Sequence, residues 1–264
     1  MPVRALNPAA TGSGEILEVL TAPDLPWPHG FTLRAGGVST GPYASLNLGL
    51  SSGDDPESVE ANREHVLSAL GVSREAVCAF HQEHGTRVLD GSPTWFTERA
   101  DAATTATPGR LLVVSVADCL PLLYFDAATG AVGAAHCGWR GTAAGLAARV
   151  VSTMAERYGT RAEDVTVAIG PGIQGACYQV GDEVVEIYRR AGFPGPLATP
   201  DAKGRFRLDL VAANRWALER AGVRPERVWS ADACTHCDPH SFFSHRRDRG
   251  VTGRHWAFIG APGG

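Results

Sequence analysis

The chain runs to 264 residues, 44% of them hydrophobic, with 28 acidic against 24 basic side chains for a formal charge of -4. That apolar content can build a substantial core in one large domain or two small ones, while the slight acidic balance supplies no long-range attraction for nucleic acid or an anionic membrane. No run approaches the roughly 20 apolar residues of a membrane span, the start lacks a secretion-signal pattern, and the 6 cysteines are too sparse for a disulfide scaffold, so reduced thiols and a cytoplasmic location are expected.

Residues 1–14 are rich in Ala, Pro and Gly without periodicity and read as a flexible N-terminal tail. No repeat, low-complexity tract or linker divides the remainder, so 15–264 is expected to be a single catalytic domain. Short strands are expected over 16–20 and 31–34, separated by a stretch whose prolines Pro23, Pro26 and Pro28 cannot donate to a ladder. A Gly-rich loop over 36–42 comes next. Asp55 then Pro56 is a helix-start signal, and the helix runs to about Leu70, where Gly71 stops it. Val59, Val66, Leu67 and Leu70 share its apolar face, with Asn62 and Arg63 beside that face.

Strands over 76–80 and 86–89 flank His81-Gln82-Glu83-His84-Gly85. Residues 95–110 read as a connecting loop, in which Asp101 could face a site but fits solvated turn chemistry better. The centre of the chain is more explicit. Leu111–Val116 is an almost continuous apolar run, 120–125 is a second, and a turn at 127–130 leads into a third that His136 closes. Cys119 directly follows the first run, so an antiparallel return brings Cys119 and His136 to one edge. A thiolate and an imidazole there suit either a zinc ion or a Cys/His nucleophilic pair. His84, beside a Gly that permits close backbone approach, would complete a His/Cys/His set with one open position.

Residues 142–158 read as a helix burying Leu146, Val150, Val151 and Met154. Its start beside Gly138-Trp139-Arg140-Gly141 would bring free N–H groups and Arg140 near His136 as an anion pocket, a surface ion pair being the other reading of Arg140. A strand at Val165–Ile169 precedes a Gly-rich loop that matches neither a P-loop nor a dinucleotide fingerprint and is taken as a cleft wall. Helices are expected over 182–191 and 210–221, the second capped by Asp209. Cys234 and Cys237 form one C-x-x-C. With His240 and His245 they could build a four-ligand zinc site, but one pair is half the usual signature, and a packing or substrate-loop role is preferred. Arg246 and Arg247 are phosphate-binding candidates by guanidinium geometry.

Read in order, S-L-N-L-G-L, G-D-D-P, Q-E-H-G-T-R-V, A-D-C-L-P-L-L, A-A-H-C-G-W-R-G, I-G-P-G-I, C-Y-Q-V-G-D-E-V and F-F-S-H-R-R-D resemble the laccase-domain or multicopper polyphenol oxidase family, also described as purine nucleoside phosphorylases and, in bacteria, as a peptidoglycan editing factor. The resemblance spans almost the whole chain. It implies an α+β fold, layered α/β/β/α with mixed β-sheets, and a metal, usually zinc, held by His84, Cys119 and His136. It also implies phosphorolysis of adenosine, inosine and methylthioadenosine, with adenosine deamination; the partners would be a purine nucleoside and phosphate.

Copper is less expected than zinc, because the chain has 9 His and no H-x-H pair with which to assemble a trinuclear cluster. Deamination would use a zinc-activated water at purine C6, with Asp118 or Glu83 moving the proton. For phosphorolysis, Arg63, Arg140 and Arg246 could hold phosphate, and Asn47 and Gln82 could orient the nucleoside. A competing expectation drops the metal: Cys119 as nucleophile and His136 as base, giving an amidase or other hydrolase acting on peptidoglycan precursors. A third is a nucleoside-binding protein without turnover.

Overall fold

Leu111–Val116 and Val132–Cys137 are apolar nearly throughout because each lies in a sheet covered on both faces. The computed structural model describes residues 3–6, 17–26, 28–201 and 204–261. In chain order, β1 (Val3–Ala5), β2 (Glu18–Leu20) and β3 (His29–Thr32) lead to α1 (Pro56–Leu70). Then come β4 (Val77–His81), β5 (Val88–Leu89), β6 (Thr94–Arg99), β7 (Ala102–Thr105), β8 (Leu111–Val116), β9 (Leu120–Asp126) and β10 (Val132–Cys137). Beyond them lie α2 (Trp139–Ala143), α3 (Leu146–Tyr158), β11 (Val165–Ile169), β12 (Gln179–Val180) and α4 (Asp182–Arg190). The chain closes with β13 (Ala198–Pro200), β14 (Phe206–Leu208), α5 (Leu210–Arg220), β15 (Val228–Ser230) and β16 (His255–Gly260).

The strands form a 7-stranded sheet in the order β1-β2-β3-β16-β8-β4-β6, a 6-stranded sheet in the order β15-β11-β9-β10-β7-β5, and a small sheet β12-β14-β13. Both large sheets are mixed: β4 runs parallel to β6 and β8, β15 to β11, and β5 to β7, while the other pairs are antiparallel. Alternation along β8 sends Leu112 and Val114 between the sheets, where they meet Leu123, Val132, Ala134 and Ala168. Leu111 and Val113 face outward to Val66 and Leu67 of α1. On the far side, Leu122, Tyr124 and Val167 pack against Val150 and Met154 of α3 and Ala213 and Leu218 of α5. The result is the layered α/β/β/α arrangement of an α+β protein. Among the described residues no helix is long and apolar enough to cross a membrane.

Local signals account for the helix ends. The Asp55 carboxylate accepts the Ser58 N–H and Gly71 sits at φ 68 in the left-handed region, which bounds α1 as its Asp-Pro start and Gly stop imply. Three expectations need correction. Val3–Ala5, read as part of a tail, pairs antiparallel with β2; residues 1–2 and 7–14 of that tail lie outside the described residues. The loop expected over 95–110 holds β6 and β7, because an edge strand of mixed residues and a buried strand of Ala and Thr both lack an apolar alternation. The helix expected from 142 is two helices, broken where Gly145 adopts φ 83.

Candidate metal centre and its cleft

Three chain segments deliver the centre. In the β9–β10 register His136 stands opposite Pro121 and Cys137 opposite Leu120, so the antiparallel return carries His136 back beside Cys119. His84, at φ 60, lies in the loop after β4. The donor atoms of His84, Cys119 and His136 all lie within 4.8 Å of one another, with Cys119 Sγ 3.9 Å from His84 Nε2. Bond lengths and tetrahedral angles would place such donors roughly 3.3–3.6 Å apart around zinc, so a small contraction closes the sphere. The approach is possible because residue 138 is Gly: a Cβ there would sit 2.9 Å from Cys119 Sγ and 3.0 Å from His84 Cδ2.

Asp101 orders two of the three donors. Its Oδ1 accepts the His84 N–H at 2.9 Å and the His136 Nδ1–H at 2.9 Å, and its Oδ2 accepts Gly85 N–H at 2.6 Å and Glu83 N–H at 3.2 Å. Holding the proton on Nδ1 leaves Nε2 of His136 as the lone-pair donor, the arrangement carboxylates impose on metal-bound histidines. Burial pushes the Asp101 carboxyl up, but the His136 bond and these amides outweigh it and the net shift is down. Burial likewise raises the Cys119 thiol, yet the facing His136 and His84 bring it down to about 6. Burial disfavours the His136 cation, while the Cys119 thiolate and Asp101 favour it more and hold its pKa up near about 9. Without a cation the site is therefore a thiolate–imidazolium pair; with one, it is a ready ligand set.

The centre opens into a cleft of about 630 Å³, whose walls include Phe80, Trp139, Tyr178, Arg246 and Arg254. Such a volume suits a small organic ligand. Several residues singled out in the sequence are occupied elsewhere. Asn47 is fully buried outside the cleft wall: its Oδ1 accepts N–H groups of Gly49 and Arg254, and its Nδ2 donates to Ser52 and Asp54. Arg63 reaches the cleft but is 1% exposed, bonded to Leu48 O and Glu60 and stacked 4.1 Å over Phe96, which leaves it poorly placed to seize phosphate. Gln82 exchanges both amide bonds with the Ser115 backbone at 2.7 Å. Arg140 is exposed over Trp139 and stands outside the cleft lining. Arg247 is tied to Thr235 O, Phe242 O and Asp248.

Others lie where a ligand would meet them. Arg246 lines the cleft, its guanidinium 5.0 Å over the Tyr178 ring, and its N–H donates to Asp118 Oδ2 at 2.6 Å. Asp118, at φ 84, accepts the Thr235 hydroxyl through its other oxygen, so both oxygens are engaged. Glu83 stands exposed at the rim in an ion pair with Arg99 at 2.5 Å. Two cleft residues are not singled out by the sequence: Tyr178, which lies in the C-Y-Q-V-G-D-E-V motif but reads as part of a cleft-wall loop, and Arg254, which follows Gly253 without any local pattern. Asp101 fits turn chemistry in the sequence and proves to be the anchor of the centre, since nothing local ties it to a histidine 35 residues on.

Comparison with known proteins covers the span of chain that builds this cleft. A family model described as "Multi-copper polyphenol oxidoreductase laccase" matches residues 28–262. Purine nucleoside phosphorylase of Deinococcus radiodurans is 46% identical over 247 residues, covering 93% of this chain and 94% of that protein. Purine nucleoside phosphorylase YfiH of Escherichia coli is 37% identical over 91% of this chain and 98% of its own. The crystal structure of YlmD from Geobacillus stearothermophilus superposes with a TM-score of 0.85 at 37% identity, covering 94% of this chain and 96% of that one. A match along nearly the whole chain, together with a shared fold, assigns this protein to the family described as multi-copper polyphenol oxidoreductase laccase.

Proposed function

We propose that this chain is a zinc-dependent purine nucleoside phosphorylase, converting adenosine, inosine and methylthioadenosine with phosphate to free base and the corresponding ribose 1-phosphate, and deaminating adenosine at the same centre. The observation that carries the reading is the convergence of His84, Cys119 and His136 on a cleft walled by Arg246 and Arg254. The names of the relatives from Deinococcus radiodurans and Escherichia coli support the same substrate class. One sulfur and two imidazoles suit zinc. The nine histidines of the chain, without an H-x-H pair, give little support to a multicopper oxidase. Zinc, when bound, supplies Lewis acidity at this wall and lowers the pKa of water toward neutrality.

The chain's own residues do the rest. Asp101 holds His136 in its ligand tautomer. Arg246 and Arg254 offer the positive charge that phosphate needs, and the faces of Phe80, Tyr178 and Trp139 suit a purine. Glu83, in an exposed pair, is the carboxylate able to move a proton; Asp118, engaged at both oxygens, positions the Arg246 backbone. We place the enzyme in the cytoplasm, where reduced thiols persist. The test is product chromatography with adenosine, beside metal analysis of wild type and His84→Ala. Adenine formed only with phosphate, inosine formed without it, and joint loss of zinc and turnover in His84→Ala are expected. No new species in either condition would sink the proposal.

One observation favours a second reading. Asp101 is hydrogen-bonded to His136, whose ring lies within 4.8 Å of the Cys119 sulfur, and the thiol is down near about 6, as a cysteine amidase acting on peptidoglycan precursors would require. Chelation separates the two: turnover that survives removal of the metal but not Cys119→Ala would identify the amidase.

A further inference from the structure

A second sulfur-rich cluster lies apart from the His84 centre. Sγ atoms of Cys177, Cys234 and Cys237 are all within 4.8 Å of one another, and Cys177 and Cys237 approach to 3.2 Å. The chain brings them together by two local devices. Cys177 sits in the tight turn after Gln174, whose carbonyl accepts the Cys177 N–H at 2.8 Å. Cys234 and Cys237 form a C-x-x-C knuckle closed by Cys237 N–H to Cys234 O at 3.3 Å, docked through the Gly172–Cys234 bridge. His240 and His245, the other ligands that a zinc site here could have used, are not in this group; Cys177, 57 residues upstream of Cys234, is.

We propose that Cys177, Cys234 and Cys237 bind one zinc ion through three thiolates, its fourth position open to solvent on the exposed Cys237 side. Three points carry this. Zinc–sulfur bonds of about 2.3 Å set sulfurs roughly 3.8 Å apart around a tetrahedral ion, inside the spread seen here. A C-x-x-C turn is the common half of a zinc knuckle, and the third sulfur supplies what the sequence alone lacked. Finally, a disulfide would join only two of the sulfurs and leave the third idle beside them.

The ion would clamp two loops that build the cleft. Tyr178, next to Cys177, lines it, and Thr235, next to Cys234, donates its hydroxyl to Asp118. The experiment uses reduced, chelator-stripped protein reloaded with excess zinc under argon and desalted. Wild type is expected to retain two equivalents, Cys237→Ser one, and His84→Ala one. Zinc is also expected to slow iodoacetamide labelling of Cys177, Cys234 and Cys237 in His84→Ala, as peptide mass spectrometry reads it. Because Cys237 is exposed and serine is nearly isosteric, that variant isolates the ligand from the fold. A single equivalent in wild type that Cys237→Ser leaves intact would overturn the proposal. So would zinc-independent labelling, or a Cys177–Cys237 disulfide that persists in the reduced, zinc-loaded protein.

Discussion

Asp101 accepts the Nδ1 proton of His136 together with backbone N–H groups of Glu83, His84 and Gly85. Asp101→Ala removes these bonds at once, leaving the His84 loop and the His136 ring without their shared anchor. Zinc affinity, measured by competition with a chromophoric chelator, is expected to fall about 10–100-fold. An unchanged affinity would show that the donors hold themselves. The metal-free pair also has a pH signature. Cys119, brought down to about 6, adds stability complete above the unfolded thiol value of roughly 8.5 and lost as pH falls through about 6. His136, held up near about 9, adds stability complete below roughly 6.5 and lost as pH rises through about 9. The melting-temperature difference between metal-free wild type and Cys119→Ser is therefore expected to peak between about 6 and about 9 and to shrink on either side. A flat difference would mean that the two charges do not support each other.

At the scale of elements, the β9–β10 pairing decides whether there is a centre at all. A slip of one residue would turn His136 to the opposite face and bury Cys137 differently, since side chains alternate along a strand. That register rests on apolar residues facing both the other sheet and the covering helices, so α3 and α5 matter to the site although neither touches it. Asp209 accepts the Ala212 N–H at 2.9 Å as the cap of α5. Asp209→Ala is expected to cost about 1 kcal/mol, read from the denaturation midpoint, with zinc stoichiometry unchanged. The helices α1, α4 and α5 and the central strands are legible in the sequence because their caps and periodicities are local. β6 and β7 are not: one is an edge strand of mixed residues, the other a buried strand of small ones, and each is held by its neighbours.

Across the whole molecule, the cleft is assembled from residues scattered between Gly49 and Arg254, one wall from each large sheet and its loops. Metal binding should therefore stabilise the folded chain by mass action, because the unfolded chain cannot hold these donors together. Zinc is expected to raise the melting temperature of stripped wild type, and the rise is expected to be smaller in His84→Ala; equal rises would mean that the ion binds elsewhere. By itself the sequence determined the ends of α1, α4 and α5 and the central strands, and offered His84, Cys119 and His136 as donor candidates, since caps, apolar runs and short motifs are written in neighbouring positions. Only the tertiary structure decided that Asp101 orients His136, that Asn47 and Gln82 are spent on internal hydrogen bonds, and that Cys177 joins Cys234 and Cys237. Those outcomes depend on which distant segments pair and in what register, and local periodicity says which way a side chain faces without saying what it will meet.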